Sequence, residues 1–215
     1  MTLKALTLAA VAIGTAALYA GNAGERNAGE RTGAAAPVAP VADRAADTAD
    51  TKALAAEAGA LAKGYGGTLL GAVKSALETS GPVGAIAFCH DEAPGMAAEQ
   101  SRRSGWRIAR TSLKPRNPNA APDDYERRVL EEFSRKIAAG APVAGLSHAE
   151  IVETDGGRVF RFMAAIPTAA PCLTCHGSSL KPEVAAKIRE LYPADRATGF
   201  SEGDMRGAFT LSKPL

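Results

Sequence analysis

Cys172-Leu173-Thr174-Cys175-His176 constrains this chain more than any other stretch of it. Two thiols at this spacing, with a histidine directly after the second, form the C-x-x-C-H attachment site of a c-type haem. The thiols add across the two haem vinyl groups, and the adjacent imidazole then faces the iron from the same side. The chain has three Cys and three His in all. A zinc site would want four N/S ligands, usually as two paired clusters, and the sequence has no second C-x-x-C. A thioredoxin-like pair would open a helix after a strand in a βαβ unit. Here Pro167, Pro171 and Gly177 put the cysteines in a loop.

The N-terminus fits export. Residues 1–23 carry one charge, Lys4, ahead of an apolar run from Ala5 to Ala20. Gly21-Asn22-Ala23 then offers the small residues that a signal peptidase needs, with cleavage after Ala23. The run is about 16 residues, near the upper end for a signal peptide and short for a membrane span. The alternative is an uncleaved N-terminal anchor. Haem c is attached outside the bacterial cytoplasm, so motif and signal agree on a periplasmic or otherwise exported protein. Removing residues 1–23 takes away one Lys and no acid, which brings the formal net charge from +2 to +1. That balance gives no case for nucleic acid or an anionic membrane as partner. Membrane contact follows only if the N-terminal segment is retained.

Residues 24–50 read as a flexible linker, rich in Ala, Gly, Pro, Asp and Arg, with Val38 and Val41 its largest apolar side chains. Such a stretch buries too little surface to offset its ordering entropy. Residues 51–215 are enough for one domain with one core. Its elements are mixed. Residues 51–79 carry Leu54, Ala58, Leu61, Tyr65, Leu69 and Val73 at helical spacing, weakened by Gly64, Gly66, Gly67 and Gly71, where a kink is expected. Ser80-Gly81-Pro82 ends that helix and starts a second over 82–104, which Pro94 interrupts or restarts. Residues 105–112 alternate as a strand. A third helix opens at Asp123-Asp124 and runs through Ala139. Residues 150–154 and 158–164 flank Asp155-Gly156-Gly157 as a hairpin, with Phe160 and Phe162 on one face. The haem loop follows, then a short helix over Pro182–Leu191 and a closing strand over 206–213.

Further segments carry a resemblance. Ala87-Phe88-Cys89-His90 with Ala93-Pro94, Arg110-Thr111-Ser112-Leu113-Lys114 with Arg116-Asn117-Pro118-Asn119, Pro167-Thr168 ahead of the motif, and Tyr192-Pro193 with Asp195, Ala197-Thr198-Gly199 and Gly203-Asp204 resemble the Tll-type c-haem domain family. The resemblance covers about residues 55–215. It implies an α+β fold similar to PAS sensor domains: an antiparallel sheet with N-terminal and flanking helices, and one haem c bound by a loop after a β-hairpin. It also implies that the iron is held by the motif histidine, His176, and by a cysteine from an upstream helix, matched here by Cys89.

The residues make a case of their own for Cys89. Once Cys172 and Cys175 form thioethers, Cys89 is the remaining thiol of an exported protein, and such a thiol is a liability unless buried or ligated. Thiolate is a good ligand for ferric haem. The bland reading is a small buried Cys on an Ala-rich helix. His90, a Met or an open site remain alternatives. His90 follows Cys89 and points about 100° away on a helix, so helix rotation decides between them. His148 reads as a surface or helix-end residue, and Met96, Met163 and Met205 as core. Haem propionates need cations or amide donors, and Arg110, Lys114 and Arg116 lie close together in the shared segment. Arg102, Arg103 and Arg107 are assigned to solvent.

Three uses follow. A redox or gas-responsive haem sensor changes ligands at the iron; the PAS-like resemblance favours it. A periplasmic electron-transfer cytochrome keeps six ligands and changes only charge, passing its electron to a redox partner protein. A haem peroxidase-type enzyme needs an open distal position, which a His–thiolate iron does not leave, so the chain is not read as an enzyme.

Overall fold

Caps and turns set the elements. The computed structural model describes residues 41–215; the signal segment and residues 24–40 lie outside them. Helix α1 spans Val41–Asp91 and so takes in residues 41–50, which the sequence reading gave to the linker. It runs unbroken through Gly64, Gly66, Gly67 and Gly71, where a kink was expected. The reason at Gly66 is close packing: a Cβ there would stand 2.8 Å from Cζ of Phe209. The break falls at Gly81, within the Ser80-Gly81-Pro82 helix end expected from the sequence, with φ 66° and ψ −176°, a conformation essentially reserved for glycine. Residues 82–91 therefore leave the α1 axis as a separate helical segment.

Helix α2, Ala93–Ser104, restarts with Pro94 in its first turn and ends on Gly105 in the left-handed region. Strand β1 is Arg107–Thr111. Helix α3, Asp124–Ala138, begins with a capping box: Asp123 accepts from the Glu126 N–H, and Glu126 accepts from the Asp123 N–H. Strands β2, Ser147–Thr154, and β3, Gly157–Pro167, form the hairpin and are longer than the sequence suggested. A 3-10 turn over Ala170–Cys172 leads into the single turn α4, Leu173–His176. The motif thus sits on a helical turn rather than in an irregular loop. Helix α5 is Pro182–Leu191 and strand β4 is Met205–Pro214.

The four strands form one antiparallel sheet in the order β1-β4-β3-β2, the α+β plan expected from the sequence. One face carries Ile108, Phe160, Phe162 and Leu211, covered by Ala58, Ala62, Tyr65 and Leu69 of α1. The other carries Met163 and Ala208, covered by Val129, Leu130 and Phe133 of α3. Met163 is fully buried and Met96 and Met205 partly so, in keeping with their core assignment. A third, smaller cluster joins Ile86, beyond the Gly81 break, to Val184, Ile188 and Tyr192, with Cys175 packed at its edge. That cluster brings the Cys89 segment to the motif. No helix among the described residues is long and apolar enough to cross a membrane.

Candidate functional site

The site is assembled where the 3-10 turn, α4, the far segment of α1 and the loop after α5 meet. Cys172 closes the 3-10 turn and Cys175 lies three residues on in α4, so both thiols lie on one side of a helical turn. The cysteines are partly buried and form no disulfide. Burial raises the Cys175 thiol, and the guanidinium of Arg116 opposes the shift.

His176 is gripped from two directions. Its Nδ1 lies 2.7 Å from the Ala197 carbonyl oxygen. A carbonyl only accepts, so Nδ1 carries the proton and Nε2 keeps its lone pair. Its own carbonyl accepts from the Phe200 N–H at 3.0 Å. Burial, then the charges of Arg206 and Arg116, hold the imidazole well below its ordinary pKa; the Ala197 carbonyl pulls the other way. The fold therefore presents a neutral, oriented imidazole, the form that ligates a metal.

Arg116 braces this grip. Its Nε donates to Asp195 Oδ1 at 3.1 Å, and its Nη2 donates to the carbonyls of Cys175 at 2.6 Å and Ala197 at 3.1 Å. The Ala197 carbonyl thus accepts from His176 and Arg116 together. Asp195 also accepts from the Ala197 N–H at 2.9 Å. Arg116, an expected propionate contact, is buried and bonded to Asp195 and two carbonyls, and it ties the motif turn to the loop over residues 195–200. Lys114 Nζ donates to the Thr198 carbonyl at 2.9 Å on the exposed side. Arg110 is exposed, and its charge acts on Cys89, His176 and Arg206.

Helix rotation separates Cys89 from His90. Cys89 is partly buried and its thiol interacts electrostatically with Cys175. Burial pushes the Cys89 thiol up, against the pull of Arg110 and Arg116. Tyr192 lies beside both Cys89 and His90: burial and Cys89 push its hydroxyl up to about 12, and its ring meets that of His90 edge-on at 5.3 Å. His90 turns outward. Its side chain is 42% exposed, its Nδ1 pairs with Asp91 at 2.7 Å, and it lines an outer cleft with Asn117 and Asn119. His148 is neither at a helix end nor near the motif: it lies on β2 between Glu132 and Glu150, 3.7 Å from each. Among the described residues no three His, Cys, Asp or Glu side chains are grouped closely enough to hold a bare metal ion.

Three participants were not assigned a role from the sequence. Asp195 and Ala197 appeared there only as parts of a shared pattern, and Arg206 only as the start of a strand. Arg206 left a signal, a lone charge opening the apolar stretch Gly207-Ala208-Phe209. Nothing in the spacing links Arg116 to Asp195, 79 residues apart.

A family model described as Tll0287-like matches residues 32–214. No curated protein matches the chain. Among solved structures, one titled "Crystal structure of the cyanobacterial heme-protein Tll0287" is similar, with 30% identity and a TM-score of 0.47, over 57% of this chain and 70% of that one.

Proposed function

The chain belongs to the Tll0287-like family, and from that premise we propose that it is an exported, monohaem c-type haem protein, attached through Cys172 and Cys175. The observation that carries the reading is the state of His176: Nδ1–H fixed on the Ala197 carbonyl, Nε2 free, the ring neutral. Directly before it stand two thiols on one helical turn. His176 and Cys89 would hold the iron, with His90 on the exposed side. A bound haem supplies an iron whose charge changes by one electron.

The residues of the chain do the rest. Ala197 holds the proton on Nδ1 and so leaves the lone pair on Nε2. Arg116 fixes the carbonyl that does this. Ile86, Val184, Ile188 and Tyr192 give the site an apolar wall that excludes water. The Gly81 break supports a responsive role over simple transfer. It separates the segment bearing Cys89, which packs through Ile86 on α5, from the part of α1 that covers the sheet. We read the protein as a redox or gas-responsive haem sensor, without enzymatic activity, working outside the cytoplasm.

Protein from the native compartment should keep its colour through acid-acetone extraction; colour passing into the organic phase removes the covalent reading. Cys89→Ala should change the ferric ligand field while His90→Ala leaves it nearly unchanged, and the reverse pattern puts His90 on the iron. Carbon monoxide should bind the reduced protein and alter hydrogen exchange across residues 82–104. No binding and identical exchange would leave a six-coordinate electron carrier.

A further inference from the structure

The site carries more positive charge than its own carboxylates balance, and the imbalance centres on Arg206. This residue stands at the start of β4, with its guanidinium 5.2 Å from the ring centroid of Phe200. Lys114 Nζ lies 4.7 Å from the same centroid. The ring of Phe200 meets the imidazole of His176 edge-on, with centroids 6.3 Å apart. Two cations therefore share one aromatic platform beside the motif histidine.

The partners of Arg206 are neutral and distant. Nη1 donates to Ser112 Oγ at 3.3 Å and to the Lys114 carbonyl at 3.4 Å. Nε is buried with no partner. Burial, then the charges of Arg116 and Arg110, lower its pKa to about 10. The carboxylate whose charge acts on it, Asp195, is already bonded to Arg116. A partly buried guanidinium whose Nε is buried without a partner, and which has no counter-charge of its own, is unfavourable. A carboxylate, like a phosphate, matches the fork of an arginine, and the haem read at this site would bring a carboxylate with it. Arg206 also interacts electrostatically with Cys172, so the open charge lies next to the attachment turn.

We infer that Arg206, with Lys114 beside it, is the receptor for a carboxylate, and that this carboxylate is a propionate of the haem held at Cys172 and Cys175. The inference rests on the haem reading above. It adds Arg206, on β4, to the propionate contacts expected at Arg110, Lys114 and Arg116. It also gives Arg206 a measurable effect: its positive charge offsets the propionate and favours the reduced iron.

The test uses exported holoprotein with Arg206→Gln, Arg206→Lys and Lys114→Gln. Each is checked by mass for the covalent adduct and titrated potentiometrically, without phosphate and with phosphate in excess. Arg206→Gln should lower the midpoint by about 59 mV or more, a tenfold fall in the ratio of reduced to oxidised protein at fixed potential. Arg206→Lys should keep that ratio within about threefold of wild type, because the charge remains. Lys114→Gln should move the midpoint the same way by less; it is exposed, so it folds and carries the test if Arg206→Gln does not. Unchanged midpoints in Arg206→Gln and Lys114→Gln overturn the proposal. So does a wild-type midpoint that follows phosphate and loses this dependence in Arg206→Gln, which assigns the site to a free anion. Wild-type protein without a covalent adduct removes the haem reading and this inference with it, an outcome separable from a haem-loaded protein indifferent to Arg206.

Discussion

Arg116→Met should be among the most damaging single substitutions outside the main core. Arg116 and Asp195 face each other with both side chains only 10% exposed. Removing the guanidinium leaves a carboxylate with one remaining bond, from the Ala197 N–H. It also takes a charged donor from the carbonyls of Cys175 and Ala197. Breaking a buried pair from one side costs about 3–5 kcal/mol, and each charged hydrogen bond is worth about 1.5–3 kcal/mol by itself. These terms share one side chain and do not add, so the net loss should be about 3–5 kcal/mol. With a urea slope of about 2 kcal/mol per molar, the unfolding midpoint should fall by roughly 2 M. Arg116→Lys should recover little, because a point charge cannot reach Asp195 and two carbonyls in one plane. Asp195→Asn should cost far less in the Arg116→Met background than alone, since the carboxylate has already lost its partner. The assay is urea unfolding of the holoprotein followed by far-ultraviolet circular dichroism. A loss below about 1 kcal/mol for Arg116→Met would refute the brace, since it would mean that the pair is as solvated as a surface ion pair.

Gly81→Ala forces a side chain into φ 66°, ψ −176° and should cost about 1–3 kcal/mol; because residues 82–91 carry Cys89, the ferric spectrum should change with it, whereas Gly64→Ala, with nothing within 4 Å of the added Cβ, should leave the spectrum as it was. Glu57 accepts from Trp106 Nε1 at 2.8 Å, and that bond, with help from Lys213, lowers its pKa from the ordinary 4.5. A carboxylate depressed by folding contributes stability that is present above its unfolded pKa and lost as the pH falls through the folded value. Emission from Trp106, the single tryptophan, should therefore titrate below pH 4.5, and Glu57→Gln should abolish that step; a titration above the ordinary value would contradict the bond. Phe133→Ala empties a fully buried site between α3 and the sheet and should cost about 3–5 kcal/mol by thermal or urea unfolding.

Much of this protein is legible from local pattern. The capping box at Asp123 and Glu126, the hairpin about Asp155-Gly156, the proline that opens α5 and the spacing of Cys172, Cys175 and His176 each depend on residues within a few positions of one another. Local rules reach that far because backbone hydrogen bonds and helix periodicity do. Four glycines look like a weak point in α1, but one of them is where the helix comes closest to Phe209, and packing outweighed propensity there. The break at Gly81 needed only a positive φ beside a proline, and Ser80-Gly81-Pro82 did mark a helix end.

By itself, the sequence determined the C-x-x-C pair, the histidine that follows it and the presence of one further thiol on a helix. Tertiary structure decided how they are used. Which of Cys89 and His90 faces the motif depends on how residues 82–91 pack on α5, and adjacent helical residues differ by about 100°. Which arginine is satisfied and which is left open depends on where Asp195 lands, 79 residues from Arg116. An ion pair selects the charge that packing brings within reach, and separation along the chain carries no record of that choice.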